Sequence, residues 1–155
     1  EGGLEVRWDV AGADTRIAGY FDSIAAEVAA QGLTGQVTLH RAVSVEMLAA
    51  LYDQAHLYVQ PSTEEGFCMT ALDAAAAGLP VIASPAGALP AIVRASQGRL
   101  VPSDPIALAG AIANFAVASS WPAQAEVTSA AVRAAFSWPA AAAALRRVYD
   151  GAQEP

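Results

Sequence analysis

The sequence predicts an α/β domain: a doubly wound parallel sheet with additional helices at its C-terminal end. Three observations carry that reading. Strand-like and helix-like segments alternate along most of the chain. One strand candidate, Pro80 to Ser84 (PVIAS), is continuously apolar, as strands buried on both faces of a parallel sheet are. About a quarter of the 155 residues are alanine, which suits thin helices packed closely on a sheet. Crossovers in such a fold are right-handed, and ligands bind at the C-terminal ends of the strands.

The elements follow in order. Leu4 to Val10 puts Val6, Trp8 and Val10 on one face and Glu5, Arg7 and Asp9 on the other, which predicts a strand ending at Ala11-Gly12-Ala13-Asp14. Ile17, Phe21, Ile24 and Val28 then recur at four-three-four spacing, the stripe of a helix that stops at Gln31-Gly32. Gln36 to Val43 reads as a second strand with Val37 and Leu39 inward. Ser44 is a good N-cap for a short helix whose inner face carries Met47, Leu48, Leu51 and Ala55. His56 to Val59 is a third strand, and PVIAS the fourth. Pro85 to Ala88 is a turn, Leu89 to Ala95 a short helix and Gly98 to Val101 a last strand. Asp104 caps a helix with Pro105 at its first position and Leu108, Ile112 and Phe115 on its buried side. Ser119-Ser120-Trp121-Pro122 breaks it. Two more helices are expected, Ala123 to Phe136 and Pro139 to Asp150, before a frayed tail from Gly151 to Pro155.

Composition bounds the function. Hydrophobic residues are 55% and charged residues 15% of the chain, a globular balance. A net charge of −7 argues against nucleic acid or an anionic membrane as the main partner. The one cysteine, Cys68, excludes an internal disulfide and fits a reducing, cytoplasmic compartment. No apolar run is long enough to span a bilayer. The abrupt start at Glu1-Gly2-Gly3 has no signal peptide and reads as a cut fragment of a longer protein.

The chain is organised around Gln60 to Pro80, QPSTEEGFCMTALDAAAAGLP. A strand delivers a polar loop and a helix N-terminus to the ligand edge, which is an arrangement suited to anions. Gly66 lets the backbone approach a ligand, and the amides from Phe67 to Thr70 are the unpaired donors at the helix start. Glu65 is placed to accept from sugar hydroxyls, and Asp73, further along the same helix, from a more distant diol such as a ribose. The plainer alternative is that acidic residues near a helix N-terminus are favoured by the dipole alone. The residue pattern leaves both open. Other candidates are weaker. His40 and His56 read as structural or surface residues, Arg41 and Arg94 as solvated cations, and Cys68 as a small packing residue. There is no Ser-His-Asp arrangement, no Cys/His spacing for zinc, no GxGxxG and no P-loop.

The run PSTEEGFCMTALDAAAAGLPVIAS resembles the signature of the retaining GT-B glycosyltransferases of the large "group 1" (family four) class. There a PS-x-x-EGFG segment leads into a helix with a second glutamate, the E-x7-E motif. Glu65 matches the first glutamate and Asp73 stands at the second. The resemblance extends along almost the whole chain. Val37 to Val43 is similar to VxFLGxV, Leu51-Tyr52-Asp53-Gln54-Ala55 to LYxxA, Gly87-Ala88-Leu89-Pro90 to GGLP, and Phe136-Ser137-Trp138 to the FSW that starts the family's final helix.

The resemblance implies that residues 1–155 are a single nucleotide-sugar-binding domain, the C-terminal half of a two-domain enzyme. It implies a nucleoside-diphosphate sugar as donor substrate and a hexose transferred with retention to an unknown acceptor. No further cofactor and no metal are expected. Glu65 would contact the donor sugar, and the backbone of Gly66, Phe67, Cys68 and Met69 the sugar and the distal phosphate. Asp73 would bind the ribose diol, and Val43 would line the nucleobase pocket. The family's Arg and Lys that neutralise the diphosphate, and its acceptor-binding N-terminal domain, would precede Val6. Four positions depart from the pattern: Asp73 for glutamate, Cys68 for glycine, Thr70 for proline and Ala91 for an acid. Two other classes share these features: a GT-B-type sugar-nucleotide epimerase, and a degenerate domain kept for structure or partner binding.

Overall fold

The structure, a computed structural model, describes residues 5–12, 17–117 and 125–151. The expected helix break at Ser119 to Pro122 and most of the expected tail lie outside them. The chain divides into two compact units, residues 1–54 and 55–155. The class is α/β, and in each unit the strands are parallel.

The first unit holds β1 (Trp8–Gly12), α1 (Tyr20–Ala30), β2 (Val37–Arg41) and α2 (Val45–Gln54). β1 and β2 pair in parallel from Trp8↔Val37 to Gly12↔Arg41. The first strand therefore lies later than the alternation of Val6, Trp8 and Val10 suggests. Ala11 and Gly12, expected in the turn, belong to it because the ladder to β2 runs through them, and Ala42 N–H donates to Gly12 O at 2.7 Å. In α1 Phe21 is buried and Ile24 and Val28 are half-buried, but Ile17 precedes the helix and is 64% exposed. α2 begins as expected, with Met47 N–H donating to Ser44 Oγ at 3.2 Å. Leu48 and Leu51 are half-buried, whereas Met47, expected on the inner face, is exposed.

The second unit holds β3 (Tyr58–Gln60), α3 (Met69–Ala76), β4 (Val81–Ala83), α4 (Leu89–Ala95), β5 (Arg99–Leu100), α5 (Pro105–Val117), α6 (Ala125–Ala135) and α7 (Trp138–Gly151). Its sheet has the order β3-β4-β5. β4 is buried along its whole length, as PVIAS predicts, and its pleat sorts the core into two layers. Val81 and Ala83 join Ala71 and Ala75 of α3, Leu89, Ile92 and Val93 of α4, and Val132 of α6. Ile82 joins Val101 and Ala111, with Leu108, Ile112 and Phe115 of α5 packed beside them. Helices thus cover both faces of this sheet. Burying a side chain such as Leu89 or Ile92 contributes about 1.5–3 kcal/mol each.

Small residues let α3 sit close: Ala71, Ala74 and Ala75 are fully buried. The helix ends in a Schellman motif, with Leu79 N–H donating to Ala74 O and Gly78 N–H to Ala75 O. Gly78 has φ +94, and a Cβ there would lie 2.8 Å from Ala125 O, so only glycine lets α6 approach. Ser129 Oγ and Arg133 Nε both donate to Ala76 O, which ties α6 to the C-terminus of α3.

Candidate functional site

The loop between β3 and α3 leaves the C-terminal end of β3, an outer strand of the β3-β4-β5 sheet. Its backbone is fixed from three sides. Ser84 N–H donates to Gln60 O at 3.1 Å, and Ser84 Oγ donates to Ser62 O. Ser103 Oγ donates to Pro61 O. Ala88 N–H donates to Gly66 O at 3.1 Å. Beside that last contact Gly87 has φ +50, and a Cβ on it would fall 1.9 Å from Glu65 O. The start of α4 is therefore pressed against the loop, and only glycine permits the approach.

Glu65 stands in this loop, half-buried. Its Oε1 accepts from Gln60 Nε2 at 3.0 Å and from Ser62 Oγ at 2.9 Å. Gln60 Nε2 also donates to Ser62 Oγ at 2.7 Å. Behind Gln60, Tyr58 Oη lies 2.6 Å from Gln60 Oε1 and 2.9 Å from Thr70 Oγ1. Among the described residues Glu65 Oε2 has no protein donor. Its carboxylate is oriented by the protein on one oxygen and open on the other.

Gly66, Phe67, Cys68 and Met69 carry the chain into α3. Gly66 has no positive φ and nothing within 4 Å of where a Cβ would sit, so the protein's own geometry makes no demand for glycine there. Phe67 is 46% exposed and meets Phe136 edge to face, with ring centroids 6.2 Å apart. That contact ties the loop to the two-residue link between α6 and α7, and the N-terminus of α7 is capped when Ala140 N–H donates to Ser137 Oγ. Cys68 is the N-cap of α3 with φ 62 and ψ 72, left-handed and without a side-chain capping bond. This conformation costs a non-glycine residue roughly 1 kcal/mol or more. It accounts for the glycine that the related pattern has at this place. Among the described residues the N–H groups of Phe67, Cys68 and Met69 make no protein hydrogen bond. They are joined by the dipole of α3, so the loop offers three donors and a partial positive charge to an anion.

Asp73 lies in the second turn of α3. It is exposed, and among the described residues its carboxylate takes no hydrogen bond. Val43 follows β2 in the other unit and is half-buried; Ala42 before it is left-handed, with φ 53. The structure thus brings Glu65, Gly66, Phe67, Cys68, Met69 and Asp73 together on one loop and helix, with Val43 on a separate body. Arg41 is engaged, paired with Asp22 and stacked 4.9 Å from the centroid of the Phe21 ring. His40 Nε2 lies 2.6 Å from Asp9 Oδ1 across the two-stranded sheet, a structural role. Arg94 is exposed in the last turn of α4. Among the described residues no group of three or more His, Cys, Asp and Glu is placed to hold a metal ion. No described helix is long and apolar enough to cross a membrane.

The sequence reading missed the side chains of Gln60, Ser62 and Tyr58 as neighbours of the site, and named Thr70 for its amide alone and not its hydroxyl. It also missed Gly87, Ser84 and Ser103 as its supports. One signal was available: Tyr58 and Gln60 are two apart on a strand and so share a face.

Known proteins are similar to this chain in sequence and fold. A family model described as "Glycosyl transferases group 1" matches residues 4–116. A D-inositol 3-phosphate glycosyltransferase of Streptomyces scabiei is 37% identical over 123 residues, covering 78% of this chain and 28% of the relative. An MMP alpha-(1->4)-mannosyltransferase of Mycolicibacterium hassiacum is 42% identical over 66 residues, 43% of this chain and 16% of that protein. Among solved structures, sucrose-phosphate synthase from Thermosynechococcus elongatus superposes with a TM-score of 0.75 at 31% identity, over 92% of this chain and 37% of its own. The matched segments therefore cover between about a sixth and two fifths of the length of these relatives. A match over so much of this chain means that it belongs to the group 1 glycosyltransferase family.

Proposed function

We propose that this chain is the donor-binding part of a retaining glycosyltransferase and takes a nucleoside-diphosphate hexose. One observation carries the reading: an oriented carboxylate, Glu65, stands at the head of three unpaired amides on a loop pinned from three sides. The amides of Phe67, Cys68 and Met69 donate to the distal phosphate and hold the charge that grows on the diphosphate as the bond to the sugar breaks. Preorganised donors aimed at developing charge lower such a barrier without reorganising during the step. Glu65 accepts from donor-sugar hydroxyls and is not the nucleophile. Asp73 accepts from the ribose diol, and Val43 packs on the base. The acceptor oxygen bonds to the sugar on the face the diphosphate leaves, and its proton passes to the departing diphosphate. No group beyond the donor itself is required by this scheme, and an acceptor-binding domain elsewhere in a longer protein completes it. The transferase names of the relatives favour transfer over epimerisation. The three free amides favour a working site over a degenerate one.

Calorimetric titration of the protein at its full natural length, with UDP, GDP and ADP and their hexose derivatives, tests this. Glu65→Ala should weaken the sugar nucleotide about 10- to 100-fold, the size of a charge-assisted hydrogen bond, and spare the free nucleotide. Asp73→Ala should weaken both. A folded protein that binds none of these ligands would sink the proposal.

A further inference from the structure

We propose that Gln60 is a positioning residue for Glu65, and that Tyr58 and Thr70 set the Gln60 amide. The inference rests on the donor-binding reading above. An ionised carboxylate only accepts hydrogen bonds, so the Gln60 atom 3.0 Å from Glu65 Oε1 must be the amide nitrogen. The carboxamide oxygen then faces Tyr58 Oη, 2.6 Å away, and the single phenolic proton is donated to it. The contact of 2.9 Å between Tyr58 Oη and Thr70 Oγ1 must therefore be donated by threonine. Gln60 gives its second proton to Ser62 Oγ at 2.7 Å, and Ser62 gives its own to Glu65 Oε1 at 2.9 Å. These bonds run in one direction, Thr70 to Tyr58 to Gln60 to Glu65, and Cys68 Sγ lies beside their start, 3.6 Å from Thr70 Oγ1. Aligned chains of this kind polarise and strengthen one another.

The consequence is specific. Both protein donors converge on Oε1, which turns Oε2 alone toward the sugar. Thr70, one of the four departures from the family pattern, is the member of this chain of hydrogen bonds that donates to Tyr58. The departure thereby gains a role, because a proline could not supply the hydroxyl. A side chain on the first turn of α3 fixes the carboxylate that precedes the helix. Thr70 and Tyr58 make no hydrogen bond to Glu65 in the relay and reach it through Gln60.

The test is a double-mutant cycle at the full natural length of the protein. It uses whichever UDP-, GDP- or ADP-hexose the unaltered protein binds. Gln60→Leu should weaken that ligand about tenfold, and Tyr58→Phe and Thr70→Val about threefold each. Thr70→Ser, which keeps the hydroxyl, should restore full affinity. Melting temperature and affinity for the free nucleoside diphosphate should not move, as they would if these residues only held the fold. In a Glu65→Ala background all three substitutions should become silent. If they weaken the ligand equally there, or if Thr70→Ser behaves as Thr70→Val, the relay is overturned while donor binding stands. Failure of the unaltered protein to bind any of the ligands overturns both readings.

Discussion

Two helices start at the same edge of the β3-β4-β5 sheet and are finished differently. α5 completes itself: Ala107 N–H donates to Asp104 Oδ1 at 2.9 Å, and Pro105 at the first position has no N–H to leave over. α3 does not. Its N-cap is Cys68, with no capping side chain, and the amides of Phe67, Cys68 and Met69 remain unmatched. An uncapped start forgoes about 1 kcal/mol. It is also held in a strained left-handed turn by a loop with three independent ties. The difference separates a helix end matched within the chain from one whose donors the described residues leave unmatched.

The largest effect expected comes from removing what presses the loop into place. Gly87→Ala puts a methyl 1.9 Å from Glu65 O at a φ of +50, so the loop or α4 must move. A loss of at least about 2 kcal/mol in denaturant unfolding, with donor binding abolished, is the expected outcome. An unaltered melting curve would mean that the two loops are independent. Cys68→Asp comes next, because it gives α3 the kind of cap α5 has. Aspartate tolerates the left-handed region, and its carboxylate would occupy the free amides. Stability should rise slightly, while affinity for a diphosphate ligand should fall about 10- to 100-fold in titration. The reverse change, Asp104→Ala on α5, should cost about 1 kcal/mol and leave donor affinity within about twofold. If it weakened the donor as strongly as Cys68→Asp, the contrast between the two ends would collapse.

The smallest effect is one of pH at a third helix start, in the other unit. A backbone hydrogen bond at Glu46 and one from Ser44 hold the Glu46 carboxyl below its ordinary value of 4.5. A lowered pKa in the folded state stabilises above the unfolded value and is lost as pH falls through the folded one. Glu46→Gln should therefore lower the melting temperature slightly at neutral pH. That difference should fade below pH 4.5 as the native glutamate itself becomes neutral.

Much of this was legible in the sequence, for local reasons. The caps at Ser44 and Asp104 are short-range chemistry, and α4 runs from Leu89 to Ala95 as its pattern predicts. PVIAS announces a buried strand because both of its faces are covered. Glu65 and the amides after it stand out because strand, loop, glycine and helix follow in sequence. Position within a ladder was less legible. β1 lies at Trp8–Gly12 because β2 pairs there, which alternation alone cannot specify. Met47 and Ile17 match a helical stripe but are exposed, since a stripe does not say how far the covering layer reaches. Least legible was the orientation of Glu65. It depends on Gln60, Ser62, Tyr58 and Thr70, whose side chains meet only once strand, loop and helix have been folded onto one another.

The close fit of Gly87 under the Glu65 carbonyl has a practical side. Residues 60–70 and 84–88 form a single cassette, with Ser103 as an outlying fastener on Pro61. A chimera that imports the loop between β3 and α3 from a relative without its matching turn would bring together two backbones shaped for different neighbours. Exchange of this loop between members of the family should therefore preserve the fold when both segments travel as a pair.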